Sequence, residues 1–301
     1  MAHWIAVDWG TTSLRAWRIG EDGQIIDHRA SDRGMNGLEP SQFEPSLISL
    51  VDDWLMPDTP THAIACGMVG ARQGWTEAEY AAVPCSPSQA KPTRAPVTDP
   101  RLKVTILPGV SQTKPNADVM RGEETQISGY LTQHPHFDGV ICLPGTHTKW
   151  VHVSAGEIIS FQTTMTGELF ALLSNHSVLR HSLTGQGWDD TAFAEGMASC
   201  LARPANMASH LFSIRAEGLL SDQSANVARA RLSGMLIGTE LAATKPYWLG
   251  QHVVLIGASE LSQLYATALS AQGITHETAN VTEMTLAGLA AAYLSLNGHR
   301  T

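Results

Sequence analysis

The chain has 301 residues, 43% apolar and 16% charged, the profile of a globular protein long enough for more than one core. Its 19 basic and 28 acidic residues leave a formal charge of −9, which argues against nucleic acid or an anionic membrane as the main partner. A small anionic ligand stays compatible, because one local pocket can oppose the net charge.

The cysteines, at 66, 85, 142 and 200, form no C-x-x-C pair, so they read as small buried apolar side chains rather than zinc or redox ligands. Asp8 interrupts the opening apolar run too early for a signal peptide, and no apolar run is long enough to span a bilayer. The default location is the cytoplasm.

Residues 4–8 (WIAVD), 14–19 (LRAWRI) and 23–30 (GQIIDHRA) read as three strands. Helical spacing follows over 41–55, with Ser41 as candidate N-cap. Strands are expected at 61–70 and 103–110, with a proline-rich surface excursion over 81–100 between them. The pattern at 116–133 predicts a helix capped by Asn116 or Asp118, and LTQHPHFDG (131–139) is the candidate hinge. The second half restarts with strand, Gly-Thr turn, Trp-containing strand, glycine turn and a strand with Ile-Ile over 139–167. Helices are predicted at 167–183, 190–202, 207–220, 225–244, 260–273 and 282–297, with a strand at 251–259.

IAVDWGTT…LRAW…GQII and VICLPGTH…TKWVHV…GEII agree in element order, turn residues and spacing, which indicates an internal duplication. Strand triplets followed by helices, twice, imply two α/β domains with mixed sheets and a cleft between them. The predicted split is 1–135 and 136–301, with the closing helix able to pack back on the first domain.

No P-loop, G-x-G-x-x-G, H-E-x-x-H or G-x-S-x-G motif is present. The turn Gly10-Thr11-Thr12-Ser13 offers amides and hydroxyls that can cradle phosphate oxygens, and Asp8 beside it implies an intervening Mg²⁺. An ordinary hairpin with a turn-forming Asp explains the same residues. Gly145-Thr146-His147-Thr148 is the matching turn without the acid, and two such turns in register favour a phosphate clamp. Lys149 adds a charge beside it or neutralises a strand edge.

DWGTTSLRAW, CGMVGARQGW, RGEETQ, LPGTHTKW and TMTGELFALL together resemble the 2-dehydro-3-deoxygalactonokinases, over nearly the whole chain. That family belongs to the actin/hexokinase/Hsp70 ATPase superfamily, with two ribonuclease-H-like domains on mixed five-stranded sheets. The resemblance implies ATP- and Mg²⁺-dependent phosphorylation of the 6-hydroxyl of 2-dehydro-3-deoxy-D-galactonate. It makes the two turns the superfamily's phosphate loops, and it places the catalytic base at Glu123 or Glu124. Solvated acids at a helix start explain those two equally directly. Arg72, Gln73 and Trp75 fall where relatives bind sugar, and an Arg fork suits the substrate carboxylate. Asn36 reads as a sugar-hydroxyl ligand or a turn residue. Thr166 and Glu168 read as sugar-facing, or as an N-cap with a first-turn acid. Gly257-Ala258-Ser259 corresponds to the adenosine-contacting turn, or to a plain strand-to-helix turn.

The implied partners are ATP and a small sugar acid, without nucleic acid or membrane, and with a homodimer left open. Alternatives are a kinase of the same fold acting on another sugar or 2-keto-3-deoxy acid, and a nucleotide-binding regulator without catalysis.

Overall fold

The computed structural model describes residues 3–87, 91–185 and 187–298. The described residues form two compact units, one within 1–138, 153–160 and 279–301, the other within 139–152 and 161–278.

The first unit opens with strands β1 (His3–Trp9), β2 (Leu14–Gly20) and β3 (Ile25–Ser31), followed by helix α1 (Phe43–Val51) and β4 (Thr61–Gly67). Then come β5 (Tyr80–Ala82), β6 (Thr93–Arg94), β7 (Leu102–Ile106), β8 (Gly109–Gln112), β9 (Asp118–Met120) and helix α2 (Glu123–Gln133). Its main sheet has the order β3-β2-β1-β4-β7-β6, so the expected five strands gain a two-residue edge strand. β1 is apolar on both faces because both are covered: Ile5, Val7 and Trp9 enter one core cluster, Trp4 and Ala6 another.

The second sheet and its helices begin with β10 (Gly139–Leu143), β11 (Thr148–Ser154), β12 (Glu157–Thr164), α3 (Thr166–His176), α4 (Asp190–Ala202) and α5 (Met207–Leu220), of which only 153–160, the end of β11 and the start of β12, group with the first unit. They continue with α6 (Ala225–Ala243), α7 (Lys245–Trp248), β13 (Val253–Gly257), α8 (Ser259–Ser270) and β14 (His276–Asn280). The sheet order is β12-β11-β10-β13-β14. Renumbered within each unit, the five long strands run 3-2-1-4-5 in both, the ribonuclease-H-like order that the internal repeat implies. The closing helix α9 (Val281–Gly298) lies on the first unit, where Tyr293 stacks on Trp4 with ring centroids 4.4 Å apart.

The helix predicted over 116–133 begins at Glu123 instead, because Asp118–Met120 pairs antiparallel with β8 and Gly122, at φ 107°, turns the chain into the helix. The strand predicted over 103–110 is likewise two strands, broken at Leu107-Pro108, where proline has no N–H for a ladder. Ser41 is not the cap of α1: it lies in a 3₁₀ turn, Pro40–Gln42, and Gln42 precedes the helix. β14 carries no apolar run, so the sequence pattern did not reveal it.

Each unit uses glycine to bring two helices to backbone contact. A Cβ on Gly129 of α2 would overlap the Met284 carbonyl of α9, and one on Gly288 would overlap the Thr125 carbonyl. Gly234 and Gly238 of α6 meet the carbonyls of Phe193 and Met197 of α4 in the same manner. Gly129→Ala should therefore destabilise the protein by about 1–3 kcal/mol through overpacking, despite a helix-propensity gain of about 1 kcal/mol. Gly298→Ala, with open space around it, should not. Denaturant unfolding of the two variants checks this.

Candidate active site

At the end of the first sheet, β1 brings Asp8 level with Arg15 on β2 and Cys66 on β4. Alternation puts Asp8 on the same face as Trp4 and Ala6, one position beyond the apolar stretch. Arg15 forms a salt bridge with it, and the Cys66 thiol lies 3.9 Å from Oδ1. Burial raises the Asp8 pKa, Arg15 pulls it back, and the charge of Glu123 pushes it up again. The start of α2 is thus electrostatically coupled to the end of β1.

Two glycines make this approach possible. Gly67, at φ 92°, would place a Cβ 2.7 Å from the Trp9 carbonyl, and a Cβ on Gly122 would sit 3.2 Å from the Gly67 Cα. The backbones after β1, after β4 and before α2 therefore pack directly on one another. Gly122 precedes two acids with different surroundings. Glu124 is buried, accepts the Gly122 N–H at 2.9 and 2.7 Å and the Thr125 hydroxyl at 3.2 Å, and has its pKa pushed up to about 8 by burial and then by Glu123. It is not a solvated helix-start acid. Glu123 is half-buried and accepts the Arg121 N–H at 3.1 Å. Arg121 is itself buried, donating to the Ala78 carbonyl at 2.7 Å with its guanidinium 4.2 Å from the Tyr80 ring centre.

The turn after β1 closes with Gly10 N–H donating to Ser13 O at 2.9 Å, leaving Thr11 and Thr12 exposed. The segment after β3 clamps it: Met35 N–H donates to Gly10 O at 3.0 Å and Asn36 N–H to Thr11 O at 2.9 Å. Asn36 is thereby held beside the turn with its side chain exposed. The group at 72–75 is divided. Arg72 is 81% exposed and pairs with Glu77 at 3.5 Å, and Gln73 is exposed. Trp75, expected to face substrate, turns inward, edge-on to Trp9 and stacked on Phe43, both at 6.2 Å. The physical reason is the tight 310 turn after β4, whose Val69 carbonyl binds the Trp75 N–H at 2.9 Å and folds the indole onto the core.

In the second unit the Gly145–Thr148 turn joins β10 to β11. Gly167, at the start of α3, packs on the Gly145 carbonyl, where a Cβ would overlap it, and Glu168 N–H donates to Thr146 O at 3.0 Å. His147 Nε2 and Glu168 Oε2 are 2.6 Å apart, so Glu168 is held by the turn itself. Lys149, the second residue of β11, is buried, and its Nζ donates to the His147 carbonyl of the turn at 3.3 Å. Thr148 is fully buried, its hydroxyl 2.9 Å from that of Tyr265. Thr166 is not an N-cap; Met165 is, and the Thr166 hydroxyl donates to Glu240. Gly257 comes close to the Pro144 carbonyl, where a Cβ would stand at 3.1 Å, so the turn after β13 adjoins the turn after β10. Ala258 precedes α8 without a side-chain cap, leaving first-turn amides of that helix available. Gly145, Gly167 and Ala258 border a cavity of about 780 Å³ whose apolar wall includes Phe170, Leu236 and Leu264. The Arg229 guanidinium lies 4.9 Å from the Phe170 ring centre.

A family model described as 2-keto-3-deoxy-galactonokinase matches residues 8–292. The chain belongs to that family. A Rhizobium meliloti (strain 1021) protein assigned as a 2-dehydro-3-deoxygalactonokinase is 38% identical, with 96% of each chain covered. The 2-dehydro-3-deoxygalactonokinase of Escherichia coli (strain K12) is 36% identical over 90% of this chain and 91% of its own. A crystal structure from Sinorhizobium meliloti, assigned to the same activity, superposes with a TM-score of 0.90 at 37% identity, covering 97% of this chain and 99% of that one. The activator of the 2-hydroxyisocaproyl-CoA dehydratase from Clostridium difficile, solved with bound ADPNP, shares the fold at a TM-score of 0.52 and 12% identity, with 99% and 96% of the chains covered.

For this kinase family member, sequence reasoning missed Glu240. It is a buried carboxylate whose pKa burial raises against hydrogen bonds from Thr166, Trp150, Thr164 and Tyr265. The signal was present as a lone acid within the apolar run GMLIGTELAA. Among the described residues no group of three or more His, Cys, Asp or Glu is placed to hold a metal ion, and no helix is long and apolar enough to cross a membrane.

The Glu124 environment makes a pH prediction. A carboxyl raised from 4.5 to about 8 keeps its proton in the folded chain after the unfolded chain has lost it. Stability should be highest below pH 4.5 for this group and fall as pH rises to about 8. Glu124→Gln, which stays neutral, should lessen that fall, as read by denaturant unfolding of both proteins across the range.

Proposed function

We propose that the chain transfers the γ-phosphoryl group of ATP to the 6-hydroxyl of 2-dehydro-3-deoxy-D-galactonate, giving 2-dehydro-3-deoxy-6-phosphogalactonate, as a cytoplasmic step of galactonate catabolism. Family membership supports the activity. The observation that carries the chemistry is the packing of Gly122 on Gly67, which brings the start of α2, with Glu123, to the strand ends that carry Asp8.

Glu123 is the proposed base. Glu124 has its carboxylate committed to the Gly122 amide and is buried, whereas Glu123 is half-exposed beside Asp8. Its role is to orient the acceptor hydroxyl and take its proton late in transfer. The Gly10–Ser13 and Gly145–Thr148 turns are the proposed phosphate ligands, through amides and the Thr11 and Thr12 hydroxyls. The cavity beside Gly145 and Ala258 suits a nucleoside, with an apolar wall for the base and polar residues such as Arg229, Ser233 and Glu260 to orient it.

The residues fit Mg²⁺. Asp8 is a hard oxygen donor already balanced by a cation, Arg15, and a single carboxylate suits an ion that keeps most of its water. Bound there, Mg²⁺ would neutralise charge on the phosphate oxygens. Arg72, Gln73, Asn36 and Glu168 remain the proposed sugar-acid ligands. A second reading keeps the same transfer with another 2-keto-3-deoxy acid as acceptor, since an Arg fork recognises the carboxylate that these acids share.

Coupled ADP release with a panel of 2-keto-3-deoxy acids tests both readings. Turnover should be fastest with the galactonate-derived acid, and release only with a different acid would reject the first. Glu123→Gln should lower kcat by roughly 10²–10⁴-fold, and unchanged turnover would move the base assignment away from Glu123.

A further inference from the structure

We infer that Glu240 is a positioning residue for the second phosphate turn: its carboxylate holds the Gly145–Thr148 segment at both ends and so sets nucleotide affinity. The inference rests on the reading of that turn as a phosphate ligand.

Glu240 lies on α6 and is 3% exposed. Trp150 Nε1, on β11, donates to its Oε1 at 2.7 Å. The Tyr265 hydroxyl, on α8, donates to Oε2 at 2.8 Å, and Thr166 Oγ1 donates to the same oxygen. Each donor leads to the turn. Thr166 is followed by Gly167, packed on the Gly145 carbonyl, and by Glu168, whose amide binds the Thr146 carbonyl. Tyr265 reaches the turn's other end through the Thr148 hydroxyl, and Trp150 stands two residues beyond it.

A carboxylate is a costly choice for this place. Apolar residues of similar volume commonly stabilise a core as much as buried charge or more, so stability alone does not call for an acid here. What apolar packing does not supply is direction. One acid with its donors in fixed places ties β11, the β12–α3 junction and α8 to one point. The Thr166 hydroxyl donates to Glu240 and lies 3.3 Å from the Thr164 hydroxyl, so its side chain is held at the β12–α3 junction on the border of the cavity.

Three variants test this: Glu240→Gln, Thr166→Val and Thr166→Ser. Calorimetric affinity for ADP and a non-hydrolysable ATP analogue is read with KM for each substrate and with the thermal midpoint. Thr166→Val, nearly isosteric, should weaken nucleotide binding by roughly tenfold while the sugar-acid KM changes less than about twofold. Thr166→Ser should restore the affinity. Glu240→Gln should weaken nucleotide binding at least as much as Thr166→Val, and if it fails to fold the Thr166 pair decides. Wild-type affinity in Thr166→Val, a loss of thermal midpoint alone, or a rise confined to the sugar-acid KM overturns the inference. A wild-type chain that binds no nucleotide rejects the kinase reading first and this inference with it.

Discussion

The structure depends on direct backbone packing where the strands of the first unit end. Gly67 rests on the Trp9 carbonyl and Gly122 rests on Gly67, so three segments meet without side chains between them. Both glycines have positive φ, at 92° and 107°, a region that side chains make costly. Any Cβ there would push α2 away from β1 and separate Glu123 from Asp8. The acid pair is therefore a consequence of chain path, and Arg15 supplies the countercharge that lets Asp8 sit in a low-dielectric position.

The second unit repeats the strand order and solves its equivalent turn differently. Aligning Gly145 with Gly10 sets Leu143 against Asp8, and Leu143 is buried at 3% exposure. With no acid on the strand end, polarity enters from α6 as Glu240, whose donors come from a strand, a helix start and another helix. One duplicated hairpin thus presents a carboxylate next to its turn, and the other is braced from behind by one. The helix pairs show the same economy in both units, since Gly129 with Gly288 and Gly234 with Gly238 allow backbone contact.

The two candidate bases show how neighbouring residues diverge. Glu123 and Glu124 are adjacent, yet successive residues on a helix point about 100° apart. One accepts the Arg121 N–H and stays half-buried, and the other turns back onto the Gly122 amide and is buried. Glu124 then becomes the neutral-leaning member because it is desolvated and lies beside a second acid.

Much of this molecule was legible in the chain alone. The two hairpins, their glycine turns, the acid present in only one copy and the helix at the close all follow from local patterns, since period and turn chemistry act over a few residues. The motif set also carried the family. What the chain alone did not decide was anything set by distant partners. Asp118–Met120 has a helical pattern but is claimed by β8; Trp75 has a loop pattern but is claimed by Trp9 and Phe43. Glu240 reads as one acid in an apolar helix until Trp150, Thr166 and Tyr265 converge on it. Burial and hydrogen-bond direction are properties of the folded neighbourhood, and only the tertiary structure assembles that neighbourhood.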